Sequence, residues 1–251
     1  MSRKRRKRGR RYRRNGKVSL STILICVILV LVYEYYPYKN TSESVRIDDE
    51  IVSMEEIPEY DGVPYVAVDG NEPGFSEAEL SEQSFESYSE LDDLGRCQTA
   101  CANIGQDLMP TEERGSIGQV KPTGWQIQKY DFVDGKYLYN RCHLIGYQLT
   151  GENANEENLI TGTRYMNVDG MLPFENMVAE YVKETDNHVL YQVTPVFEGN
   201  DLVAKGVEME GYSVEDQGEG ISFHVFVYNV EPGVEIDYST GDSQLDSSSF
   251  Y

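Results

Sequence analysis

The sequence predicts an α+β domain on a mostly antiparallel central sheet, preceded by a single N-terminal transmembrane helix. Three observations carry that expectation. The last third of the chain reads as consecutive strands, HVLYQVTPVFEG, DLVAKGVEMEGYS, ISFHVFVYNV and GVEIDYS, broken by Gly, Asn and Asp at turn positions. Before them, FENMVAEYVKET (174–185) spaces Phe174, Met177, Val178, Tyr181 and Val182 along one helical face. Strands on both sides of a helical middle indicate α+β architecture rather than βαβ alternation. The third observation is an uncharged apolar run close to the N-terminus.

Residues 1–17 hold 11 of the 22 basic residues and no acidic one, whereas the remaining 234 set 11 basic against all 43 acidic residues, a net of -32. The two parts must face different surroundings. Next comes VSLSTILICVILVLVY (18–33), followed by Tyr35, Tyr36 and Tyr38. Sixteen residues are short for a span, but the tyrosines suit the headgroup region. We place a membrane anchor at 18–36, with the basic arm cytoplasmic and against anionic lipid, and all later residues exported. A cleaved signal peptide, which would leave a secreted protein, is the alternative; no small-x-small site follows the run.

Residues 37–85 are rich in Ser, Glu, Asp, Pro and Gly and read as an acidic, self-repelling stalk, with VPYVAV (63–68) an alternative edge strand. The globular domain is expected at 86–243 and a frayed tail at 244–251. Within the domain, SYSELDDLGRCQTACANIG reads as a helix or an extended piece leading into one. WQIQKYDFV and KYLYNRCHLIG read as a hairpin around DGK.

Cys26 falls in the span, leaving Cys97, Cys101 and Cys142. Export permits a disulfide without requiring one. Cys97 and Cys101 would share a helix face, where bridging geometry is poor, so Cys142 would be the partner of one of them if a bridge forms. A zinc site lacks a second CxxC or a nearby histidine.

The chain has three histidines. His224 alternates with Ile221, Phe223, Val225 and Val227 and should face solvent; His188 follows an Asp-Asn turn and should be exposed. His143 differs, with Arg141 two residues before it. Spacings of 45 and 36 residues without an i, i+4 pair argue against a three-histidine zinc hydrolase. Taken alone, Asn167 in YMNVDG starts a turn, and Glu175 is an acid favoured by the positive end of its helix.

A resemblance changes those readings. NRCHLIGYQLTGENANEENLITGTRYMN (140–167) resembles the active-site stretch of the DNA/RNA non-specific endonucleases, the ββα-metal or His-Me finger group that includes membrane-bound DNA-entry nucleases of Gram-positive bacteria. LDDLGRC and ERGSIGQVKPTGW are similar to segments upstream of that box, and VEIDYSTGD to the family's C-terminal end; together they span roughly residues 90–243. The resemblance implies a ββα-metal motif in the domain, with His143 as general base, Asn167 as metal ligand, Asn158 as a further active-site residue and Glu175 as the acid holding the ion's water. The family's usual Asp-Arg-Gly-His reads here Asn140, Arg141, Cys142, His143, so an acid and a glycine are replaced.

Phosphodiester hydrolysis needs a proton acceptor working near neutral pH and positive charge on the phosphate oxygens. Imidazole meets the first need; Mg²⁺, or Mn²⁺ in its place, meets the second, with Arg141 or Arg164 as phosphate donor. The implied partner is nucleic acid, DNA and by extension RNA, with the membrane as a second partner through the anchor. Overall acidity opposes polyanion binding. Residues 96–164 nevertheless carry 7 basic and 8 acidic groups, against 2 and 17 in 165–251. A basic rim of Arg96, Arg114, Arg141 and Arg164 around the site is therefore expected. The competing reading is a degenerate, non-catalytic module that binds nucleic acid or another surface.

Overall fold

The computed structural model describes Met54 and residues 57–247, all within one compact unit. The basic arm and the expected span at 18–36 lie outside the described residues, and among those described no helix is long and apolar enough to cross a membrane.

Ten strands, one α-helix of 14 residues, one of four and three short 3-10 or π turns make up the described fold. β1 (Tyr65–Ala67), β2 (Phe85–Tyr88), β3 (Ala100–Ile104), β6 (Val189–Val196), β7 (Gly206–Ser213) and β8 (Ser222–Tyr228) form a six-stranded sheet in the order β1-β8-β7-β6-β3-β2. Every pairing is antiparallel. A separate hairpin joins β4 (Tyr139–His143) to β5 (Leu159–Thr163), and another joins β9 (Val234–Ile236) to β10 (Ser243–Leu245). α1 (Tyr147–Thr150) is a single turn between β4 and β5, and α2 (Leu172–Thr185) follows β5 through a wide turn at Met166–Met171.

Alternation along the strands explains the layering. Tyr191, Val193, Val207, Met209, Phe223, Val225 and Val227 point to one side and pack with Phe174, Val178, Ala179 and Val182 of α2 and with Cys142 and Ile160 of the hairpin. Burying each of the large apolar side chains of α2 contributes roughly 1.5–3 kcal/mol. The opposite sheet face is covered too: Val196, Phe226 and Tyr228 pack against Ile57 and Val68 of the N-terminal segment.

That second layer corrects several expectations. Residues 65–67 form an edge strand paired with β8, so this part of the expected stalk belongs to the domain, and β10 carries the fold past residue 243. His224 is buried rather than solvent-facing, because its side of β8 is roofed by the 71–74 segment. His188 is only half-exposed, its Nδ1 2.6 Å from Glu215 Oε1. Residues 85–104 hold two strands and no helix, since Ala100, Ala102 and Ile104 alternate into the core. The expected hairpin around DGK reduces to a single bridge between Lys129 and Tyr137, because β4 pairs with β5 instead. Met177 stands at the exposed edge of α2. Cys97, Cys101 and Cys142 are all free thiols; Cys97 donates to the carbonyls of Glu156 and Leu159.

Two contacts fix the hairpin and its following turn on the sheet. Asn229 is fully buried; its Nδ2 donates to the carbonyls of Thr161 (3.1 Å) and Ala204 (2.9 Å), while its Oδ1 accepts from the Thr163 amide (2.9 Å). Gly170 lies so close to β8 that a Cβ there would meet Val227 Cγ1 at 2.3 Å. Replacing Asn229 by Ala would strand the buried Thr163 N–H and two carbonyls. A loss of about 3 kcal/mol is expected, read from the urea unfolding midpoint. A loss below about 1 kcal/mol would mean that the hairpin is held by other contacts.

Candidate active site

The hairpin, the wide turn and α2 enclose one side of an open cleft of about 830 Å³. His143, at the end of β4, is buried and pairs in register with Leu159 of β5. The loop leaving it is closed by Asn158, whose Oδ1 accepts from the Ile145 amide at 2.9 Å and whose Nδ2 returns to the Ile145 carbonyl at 3.0 Å. Asn158 is fully buried and does not line the cleft; it shapes the turn that carries His143.

Both imidazole nitrogens are engaged. Nε2 lies 2.8 Å from the Asn153 carbonyl, which only accepts, so the ring proton sits on Nε2. Nδ1 lies 3.2 Å from Nη2 of Arg114, which only donates, so Nδ1 presents its lone pair to the cleft. Burial pushes the His143 pKa down to about 4; the Asn153 carbonyl opposes that and the Arg114 charge adds to it. The ring is therefore neutral at physiological pH, with no proton on Nδ1.

Asn167 lies in the wide turn. A π-type widening places one extra residue ahead of α2, with the Leu172 amide bonding back to the Asn167 carbonyl. The entry is capped by Thr163 Oγ1, which accepts from the Met166 amide, and by Glu231, which accepts from the Tyr165 amide. The Asn167 side-chain oxygen accepts from the Cys142 thiol at 3.0 Å. Burial raises the Cys142 pKa, so the thiol stays protonated and remains a donor.

Glu175, in the first turn of α2, closes the cleft floor. The helix comes so near the loop after β4 that a Cβ at Gly146 would meet Glu175 Oε2 at 2.6 Å. Glu175 is enclosed by protein on most sides, yet water reaches it through the cleft mouth. Burial raises its pKa to about 7, against the Gln148 hydrogen bond and the Arg114 charge, which lower it. Among the described residues its one side-chain donor is Gln148 Nε2, at 3.5 Å, and no cation pairs with it. An under-coordinated carboxylate and an amide oxygen with a lone pair to spare, both facing open water, form a donor set that suits a hard divalent cation.

The structure brings together His143, Asn167, Glu175, Arg114, Arg141 and Arg164 along this cleft. Arg141, however, is committed to framework: its guanidinium donates to the carbonyls of Val120 and Gly118 and stacks 4.0 Å over Trp125. Arg164 pairs with the exposed Asp134 at 2.7 Å, a contact that water and salt weaken. Arg96 does not join the rim; it is held by Asp92, by the carbonyls of Gly199 and Asp201, and over the ring of Phe197. The Asn153 carbonyl and Gln148 were not expected from sequence. A backbone acceptor leaves no residue-type signal, and a glutamine in a short helical turn carries none.

Residues 77–215 match the family described as DNA/RNA non-specific endonuclease. The chain belongs to that family. A deoxyribonuclease of Streptococcus dysgalactiae subsp. equisimilis is 31% identical over 110 residues, a match covering 42% of this chain and 32% of the relative's length. The fold is shared with NucA from Streptococcus agalactiae, solved with magnesium bound, at a TM-score of 0.64 and 22% identity over 74% of this chain and 91% of that one. It is also shared with the Sda1 nuclease, solved with zinc bound, at 0.59 and 24% identity over 73% and 96%. The matched region is thus a domain of the DNA/RNA non-specific endonuclease family, with a mixed α/β fold and a central antiparallel sheet.

Glu175 links the site to stability. In metal-free protein its folded-state pKa of about 7 exceeds the ordinary 4.5, so the folded chain holds the proton more tightly than the unfolded one. Stability is then highest below about pH 4.5 as far as this group is concerned, falls as pH rises, and levels off above about 7. In chelator, Glu175→Gln should remove a penalty of about 2 kcal/mol at pH 8, after allowing for cleft water, and little at pH 5. Parallel urea midpoints for both chains across that range would contradict the burial argument.

Proposed function

We propose that this protein is a metal-dependent endonuclease that hydrolyses phosphodiester bonds of DNA, and of RNA, without sequence preference. The arrangement of His143 carries this reading: a neutral imidazole, its Nε2–H fixed on the Asn153 carbonyl and its Nδ1 lone pair turned into a cleft shared with Asn167 and Glu175.

In this reading His143 Nδ1 takes the proton from the attacking water. The Asn153 carbonyl steadies the imidazolium that results, as Nε2–H keeps its acceptor throughout. Arg114 Nη2, 3.2 Å from Nδ1, gives up that contact as substrate enters and donates to a phosphate oxygen. Asn167 Oδ1 would hold the divalent cation, with Glu175 accepting from its hydration shell. When bound, the ion supplies positive charge for the phosphate oxygens and the leaving group. Magnesium is the ion we favour, because the one proposed protein ligand is a hard oxygen and Glu175 would hold the waters that magnesium retains; manganese suits the same set. Buried Cys142 sits where the family usually has glycine, and its thiol fixes the Asn167 amide; Gly162 across the hairpin leaves room for it, since a Cβ there would lie 2.8 Å from Cys142 Cβ.

Charge supports access by a polyanion. Among the described residues lining the cleft, Arg114, Arg141 and Arg164 are basic and Glu175 alone is acidic. Local potential, more than net charge, governs the approach of phosphate. The N-terminal segment would anchor the domain outside the cell membrane, with 1–17 cytoplasmic and 18–36 spanning.

A degenerate, binding-only domain is the second reading, favoured by Asn140 and Cys142 in place of the family's acid and glycine. Plasmid degradation separates the two. Cutting with Mg²⁺ that stops in chelator and falls by roughly 10²–10⁴ in His143→Ala supports the enzyme. Arg114→Glu should weaken DNA binding measured in chelator. Intact plasmid across magnesium, manganese and calcium, with binding retained, supports the second reading.

A further inference from the structure

On the sheet face away from α2, three ligand-type side chains meet. Glu208 and Glu210 project from alternate positions of β7, and His224 of β8 lies opposite Glu210 in register. Their exposures are 8%, 7% and 6%, and one ligand atom from each lies within 4.8 Å of the others. His224 Nε2 is 2.5 Å from Glu208 Oε1. Its Nδ1 is 3.1 Å from the Glu72 carbonyl, which only accepts, so Nδ1 carries a proton; Nε2 is turned to Glu208, while Glu210 Oε1 lies on the Nδ1 side of the ring, 3.8 Å from that atom. Histidines that bind metals are commonly fixed in this manner, by donation of the other ring N–H to a backbone carbonyl. Glu210 is oriented as well: Oε1 accepts from the Gly74 amide at 2.7 Å and Oε2 from Gln192 Nε2 at 3.3 Å.

We propose that Glu208, Glu210 and His224 form a second metal site, separate from the cleft, for a divalent transition ion of the zinc class. One imidazole and two carboxylates leave a fourth tetrahedral position for water. The imidazole selects against magnesium and calcium. Ligands about 2.0–2.2 Å from such an ion stand on the order of 3.3 Å apart, so Glu208 Oε1 and His224 Nε2 need to separate by about 1 Å, and the Glu210 carboxylate needs to rotate from the Nδ1 side of the ring towards Nε2, both side-chain movements. The ion would tie β7 and β8 beneath the segment that roofs them. That segment is already attached to β8, because Asn71 Oδ1 accepts from the His224 amide at 3.1 Å and the Val68 amide donates to the His224 carbonyl at 3.0 Å. Its role is structural, and the proposal stands independently of the nuclease reading.

The test uses the full chain carrying Asn167→Ala, which removes the cleft's proposed ligand. After chelator stripping and dialysis against zinc, one zinc per chain is expected by elemental analysis. The melting temperature should rise by roughly 5–10 °C at a hundredfold excess over Kd. Adding His224→Ala or Glu210→Gln should weaken binding tenfold or more and remove the rise. If His224→Ala does not fold, the isosteric Glu210→Gln carries the test, with cobalt(II) as probe: the visible absorption of a four-coordinate ion should appear in the parent and vanish in the variant. A parent chain that binds no zinc and melts unchanged would overturn the proposal in favour of an imidazolium held between carboxylates. Equal zinc binding by parent and Glu210→Gln would place the ion elsewhere and overturn it too.

Discussion

The hydrogen bond from His143 Nε2 to the Asn153 carbonyl decides which nitrogen of the imidazole faces the cleft, and the surrounding architecture serves to hold that bond in place. Pairing of β4 with β5 delivers His143 to the cleft edge, and Asn158 ties the loop that follows. Asn229 binds β5 to the strands behind it. The wide turn, pressed on β8 at Gly170, then sets Asn167 beside the histidine strand and starts α2 so that Glu175 meets Gly146. Most of these contacts involve backbone groups or buried side chains, the kind of support that keeps a site in register.

Under the proposed function, acidity and polyanion chemistry are compatible because charge is segregated by element. The segment with the histidine box is near neutral overall, and the described residues lining its cleft are net basic. Much of the acidity lies in the strands and loops of the C-terminal half, including Glu208 and Glu210 on the far sheet face. At physiological ionic strength potentials decay over about 8 Å, so groups on the far face act weakly on a phosphate in the cleft.

The C-terminal strands and α2 were legible because their apolar periods are long and uninterrupted, and the box around His143 because several segments resemble one family together. Where the sequence misled, tertiary cover was the cause. His224 alternates with core residues and reads as solvent-facing only if one sheet face is open; here the chain from Ile57 to Gly74 closes it. Residues 100–104 are small enough to satisfy helical spacing, yet long-range pairing with β6 makes them a strand. Arg141 and Arg96 carry the charge expected of phosphate donors, but carbonyls and aromatic rings elsewhere in the fold had already claimed them. No sequence pattern reports which backbone carbonyl will meet an imidazole, so the acceptor at Asn153 emerged only in three dimensions.

The central claim is that His143 and Asn167 serve one divalent cation. Anomalous scattering from crystals of the wild-type chain soaked in manganese addresses it directly. The expected map places an ion about 2 Å from Asn167 Oδ1, with His143 Nδ1 facing the same side of the cleft at one water's reach. A preparation that cleaves DNA while its cleft ion bonds to neither Asn167 nor its surrounding water, or while His143 turns away from that ion, would contradict the claim.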